Sequence, residues 1–66
     1  MKEAYQVIFE KAKSTGISAA ELARRTEIHP VLLRNSLHGK RGLRANELVK
    51  LSRELGLEMS DFAEVA

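Results

Sequence analysis

ISAAELARRTEIHPVLLRNSLHGKR, residues 17–41, reads as two short helices joined by a tight turn, with a basic loop after the second. The first helix is expected to open at Ser18, whose hydroxyl can accept from the orphan N–H groups of the first turn. Glu21 stands three residues on and can reach back to the N–H of Ser18, so the pair has the form of a capping box just ahead of Leu22 and Ala23. Pro30 opens the second helix, because its fixed φ and missing N–H suit the first helical position. Gly39 closes it, being the residue type best able to take the left-handed conformation after a helix end. Thr26, Glu27 and Ile28 make the turn between them.

A chain of 66 residues is one small domain, 1–66. It has no cysteine and only two histidines, which excludes disulfides and furnishes no structural zinc set. The longest apolar run is three residues, so no segment spans a membrane. The N-terminus is mixed and charged and lacks the pattern of a signal peptide, so a cytoplasmic protein is expected. One Tyr and two Phe are too few for a platform that stacks single-stranded bases. No nucleophile is paired with a base, and there is neither a ligand cluster nor a phosphate loop; an enzyme is not expected, nor a metal or other cofactor.

The net charge of +2 hides an asymmetry. Residues 1–23 balance three cations against three carboxylates. Residues 24–53 carry Arg24, Arg25, Arg34, Lys40, Arg41, Arg44, Lys50 and Arg53 against Glu27 and Glu47, or +6, and residues 54–66 are −4. The positive charge starts at the end of the first motif helix and runs past the second, which suits a phosphate footprint. A solvated surface with a chance imbalance is the competing reading of charge alone.

Outside the motif, Tyr5, Ile8, Phe9 and Ala12 share one face of a helix expected over 2–13, ended by Gly16. The motif helices are expected over about 19–25, with Leu22 inward, and about 30–37, with Leu33, Leu37 and Ile28 inward. Leu48, Leu51, Ser52 and Leu55 repeat the helical spacing in a helix over 45–55, closed by Gly56. A short fifth helix is expected over 59–65, anchored by Phe62. No stretch alternates with period two, so no strand is expected. The fold class is therefore all-α, a compact five-helix domain.

Two helices with a three- or four-residue turn follow the helix-turn-helix plan, in which the second helix enters the DNA major groove. From Tyr5 to Phe62 the chain resembles the phage-repressor-like helix-turn-helix domains of the Cro/C1 or XRE type. The matching residues are Gly16-Ile17-Ser18, Glu21-Leu22-Ala23, Ile28, Leu37-His38-Gly39-Lys40-Arg41, Glu47-Leu48-Val49-Lys50-Leu51 and Leu55-Gly56-Leu57. The resemblance implies a lambda-repressor-like five-helix domain that binds operator DNA, usually as a two-fold dimer, to regulate transcription. It suggests a small self-standing regulator from a bacterium, phage, plasmid or other mobile element. Three departures stand out. Glu27 takes a turn position where the family usually has glycine. Ala19 replaces a glutamine that touches the DNA backbone. His29-Pro30-Val31-Leu32 is apolar where the recognition helix normally begins with polar residues.

In that frame the base-reading candidates are His29, Pro30, Val31, Arg34 and Asn35, with Leu32 on the border of the core. Asn35 can pair with adenine, Arg34 can pair with guanine or grip a phosphate, and Val31 can pack on a thymine methyl. His29 also reads as the N-cap of its helix, a local structural role. The phosphate candidates are Ser18, Arg24, Arg25, His38, Lys40, Arg41 and Arg44. Met59, Phe62 and Val65, three apart, are candidates for a homodimer contact; packing on their own domain is the alternative. The expected function is sequence-specific binding of double-stranded DNA by a small regulator, most simply a repressor. The alternative is a protein-interaction module that docks an antitoxin- or antirepressor-type regulatory partner on Pro30-Val31-Leu32.

Overall fold

Each of the four helices stops on a residue in the left-handed region, and those four stops lay out the chain. The structure, a computed structural model, describes residues 2–65. Helix α1 is Ala4–Thr15, α2 Ala19–Thr26, α3 Pro30–Leu37 and α4 Ala45–Leu55. Gly16, Gly39 and Gly56 end α1, α3 and α4 at φ of 78°, 76° and 67°, and Glu27 ends α2 at φ 58°. In every case the next N–H reaches back to a carbonyl five residues earlier: Ile17 to Ala12, Ile28 to Ala23, Lys40 to Asn35 and Leu57 to Ser52, at 2.8–3.2 Å. This Schellman closure satisfies the last helical carbonyls and turns the chain sharply back on itself.

The turns bring one stripe of each helix into a single core. Ile8 and Ala12 of α1, Leu22 and Ala23 of α2, Ile28 of the turn, Leu33 and Leu37 of α3, and Leu51 and Leu55 of α4 make up that cluster. Burial of each large side chain contributes roughly 1.5–3 kcal/mol. Val7 is buried as well, while Tyr5 and Phe9 are half-buried, so the inward face of α1 is rotated slightly from the one its spacing suggested. None of the described helices is long and apolar enough to cross a membrane.

Two boundaries differ from expectation for one shared reason. Helix α1 begins at Ala4 rather than Lys2, because Lys2 forms an isolated parallel bridge with Val65. The Lys2 N–H donates to the Glu64 carbonyl at 3.3 Å, and the Gln6 Oε1 accepts the N–H of Glu3 at 2.7 Å to cap the helix there. The same bridge draws Val65 out of any helix. The expected fifth helix is instead a single 3₁₀ turn, Met59–Phe62, started by the Asp61 carboxylate accepting the Glu58 N–H at 2.7 Å. Among the described residues, four α-helices and one 3₁₀ turn replace the five helices expected.

Candidate nucleic-acid interface

Helix α2 begins as its sequence requires, but only half of the expected capping box forms. The Ser18 hydroxyl oxygen accepts the Glu21 N–H at 3.1 Å. The Glu21 carboxylate does not return to Ser18. It accepts from Arg24, through Nε at 3.1 Å and through Nη2, and from the Arg25 Nε at 2.8 Å. Two guanidinium donors attract the carboxylate more strongly than the single uncharged N–H of Ser18 does. Arg24, and then Arg25, hold the Glu21 carboxyl down to about 2. Two of the phosphate candidates are therefore already paired on their own helix.

Helix α3 presents two different sides. Leu33, Ser36 and Leu37 face the core. The helical repeat then sends Val31, Arg34, Asn35 and His38 along the opposite stripe. Val31 is 55% exposed and Leu32 42%, so neither is taken into the core. Asn35 is half-buried, and its side chain makes no hydrogen bond among the described residues. At the head of the helix the His29 Nδ1 accepts the Val31 N–H at 3.2 Å. His29 is thus the N-cap, with Pro30 in the first turn. At the other end the His38 ring meets the Phe9 ring edge-on, 5.9 Å between centroids, which anchors the end of α3 against α1.

The loop after α3 divides its cations. Lys40 and Arg44 are exposed and have no ion pair among the described residues. Arg41 turns inward. Its Nη1 donates to the Ser36 Oγ at 2.9 Å and to the Glu47 Oε1 at 3.1 Å, and its Nη2 donates to the Glu47 Oε2 at 3.0 Å. Glu47 also accepts the Arg44 N–H at 2.9 Å, capping α4. The fork of Arg41, aided by that backbone bond, holds the Glu47 carboxyl below its usual range. This clasp joins the end of α3, the loop and the start of α4. The sequence offers Glu47 as a family-matching residue and a counter-charge but not as a partner of Arg41; the local signal for its cap is its place three residues after the N-cap Arg44, where an acidic side chain can reach back.

The family model of the Cro/C1-type HTH DNA-binding domain matches residues 10–66. The chain belongs to that family. No curated protein and no solved structure matches it.

Within this Cro/C1-type domain the central charge of +6 is not one uniform patch. Arg24 and Arg25 answer Glu21, and Arg41 answers Glu47. Lys50 and Arg53 line a shallow depression together with Glu27 and Glu54. Neither Lys50 and Arg53 nor Arg34, Lys40 and Arg44 have an ion pair among the described residues, and the last three lie on α3 or just after it. Ser18 is exposed, and its hydroxyl proton is free to be donated because the oxygen serves as the acceptor.

Of the three residues expected at a dimer contact, Met59 and Phe62 line one groove and Val65 lies apart from it. Met59 is 91% exposed. Phe62 packs against the core, and Val65 is half-buried at the bridge to Lys2. Met59 and Phe62 share that groove with Leu48, Val49 and Leu57, and Arg53 and Glu58 stand in the same lining.

Proposed function

We propose that the chain is a small transcriptional repressor that binds a two-fold operator in double-stranded DNA as a homodimer, with α3 in the major groove. The observation that carries this reading is the outward stripe of α3: Val31, Arg34 and Asn35 stand free of the core, and unpaired Lys40 and Arg44 follow directly behind. In this arrangement Asn35 offers both ends of its amide to adenine, Arg34 takes guanine or a phosphate, and Val31 and Pro30 pack on thymine methyls. Lys40, Arg44 and the Ser18 hydroxyl grip phosphates, and His38, Arg24 and Arg25 stand at the margin of the same footprint. Arg41 acts through the fold, by holding the loop to Glu47.

Dimerisation is supported by the size of the core and by the groove at Met59. A small single core rarely supplies more than about 3–5 kcal/mol, so a second copy that covers Val49 and Met59 adds apolar burial where it is needed. One cation and one carboxylate beside an apolar floor make that surface compatible with a copy of itself.

Selection of bound sequences from a random duplex pool tests the proposal. A two-fold motif with half-sites about one helical turn apart supports it. Weak binding without any motif overturns it. The exposed Val31 and Leu32 favour one other occupant of this face, a regulatory protein partner, and capture of such a partner alongside motif-free DNA binding is the outcome that reading expects.

A further inference from the structure

The cap on α3 also determines what its first residue can read. The His29 Nδ1 accepts the Val31 N–H, so that nitrogen carries its lone pair and not a proton. The proton of the neutral ring then sits on Nε2, because the hydrogen bond made by one ring nitrogen sets the state of the other. Nε2 lies on the far side of the ring from the capped backbone. It has no partner among the described residues, and His29 is exposed. The residue therefore shows the outside a single N–H donor and no acceptor.

We infer that His29 is a specificity-determining residue: held in one tautomer by its own cap, it donates from Nε2 to the N7 of a purine and rejects cytosine. This rests on the reading that α3 enters the major groove. A lone N–H needs a lone acceptor. Both purines present N7 in that groove, cytosine presents an amino donor that faces Nε2–H donor to donor, and thymine sets its O4 beside a methyl that the ring must clear. A phosphate oxygen is an acceptor too, but a phosphate contact carries no sequence preference.

Two substitutions separate the cap from the contact. In His29→Asn the side-chain oxygen still caps α3, since Asn is among the best N-cap residues, but the short amide no longer reaches outward. In His29→Gln an amide N–H reaches about as far as Nε2, while the cap is weakened. The full chain and both variants are selected in parallel on a random duplex pool. The winning duplex is then titrated with 7-deazapurine (which lacks only the N7 acceptor) at each purine of the half-site. The expected result is one half-site column that excludes cytosine for the wild type and for His29→Gln and is lost in His29→Asn, whose thermal stability is undiminished. At that column the 7-deaza base weakens wild-type binding roughly five-fold, the worth of one neutral hydrogen bond, and leaves His29→Asn unaffected. A wild-type motif whose columns are all shared by His29→Asn, or are all insensitive to 7-deaza bases, overturns the inference and leaves operator binding intact. Equal weakening of His29→Asn on every sequence makes the contact a phosphate and also overturns it. Absence of any wild-type motif is the distinct failure of the underlying reading.

Discussion

Glu27 holds a backbone conformation that the other three helix ends entrust to glycine. Its φ of 58° is the one positive value on a non-glycine residue among the described residues. For an L-residue that conformation costs about 1–2 kcal/mol, because Cβ crowds the following carbonyl oxygen. Replacing Glu27 with Gly removes the crowding but gives the unfolded chain more freedom, which returns about 0.4–1 kcal/mol. The net gain is about 0.5–1 kcal/mol, or about 2–8 °C in Tm for a domain of this size. Glu27 makes no hydrogen bond or ion pair through its side chain among the described residues, so little else is lost. The measurement is urea unfolding together with a thermal scan, and Cm should rise at constant m-value. Glu27→Ala is the decisive companion: it removes the same carboxylate from the basic half of the chain but keeps Cβ, and its stability should not rise. Glu27→Asn should fall between the two, because Asn tolerates the left-handed region. Equal stabilisation by Ala and Gly would show that charge, not φ, is the cause. A loss of stability in Glu27→Gly would refute the strain altogether.

Arg34, Lys40 and Arg44, the cations on α3 or just after it that have no ion pair among the described residues, make six in a dimer. The slope of log K against log salt should then be about −5 rather than the steeper value expected if every basic residue of the central segment met a phosphate. Arg41→Gln should lower stability and leave that slope unchanged, whereas a loss of about one unit per protomer would make Arg41 a phosphate contact. Glu47, lowered from its ordinary value of 4.5 by Arg41, contributes stability that is fully present above that value and is lost as pH falls through its depressed folded value. Urea unfolding at pH 7, 5 and 3 should therefore show a shallower acid loss in Glu47→Gln than in the wild type. Gly39→Ala should cost more stability than Gly16→Ala or Gly56→Ala, because a Cβ at Gly39 would lie 2.8 Å from the Tyr5 ring and hydroxyl while the other two meet nothing within 4 Å. Equal melting losses for all three would exclude that contact.

The helices, their order and the helix-turn-helix plan were legible in the sequence because the signals are local. A cap, a proline at the first position and a left-handed stop act within one turn of the chain, and a stripe such as Leu48, Leu51 and Leu55 marks its own inward face. The helix-capping role of His29 was legible for the same reason. The conformation of Glu27 was posed by the sequence but left open, and the fold settled it: Ile28 must enter the core and bond to Ala23, and only the left-handed turn brings it there. Other features belonged to the tertiary structure alone. Arg41 was read as one more cation in a basic loop, yet it closes on Ser36 and Glu47 from neighbouring elements. The sequence offers the last segment as a helix anchored by Phe62 and leaves open whether Met59, Phe62 and Val65 face a second copy or their own domain; the bridge from Lys2 to Val65 shortens it to one turn, and Met59 is the exposed one of the three. A charged or apolar side chain chooses its partner by distance in space, and distances between residues far apart in the chain exist only once the core has brought the helices together.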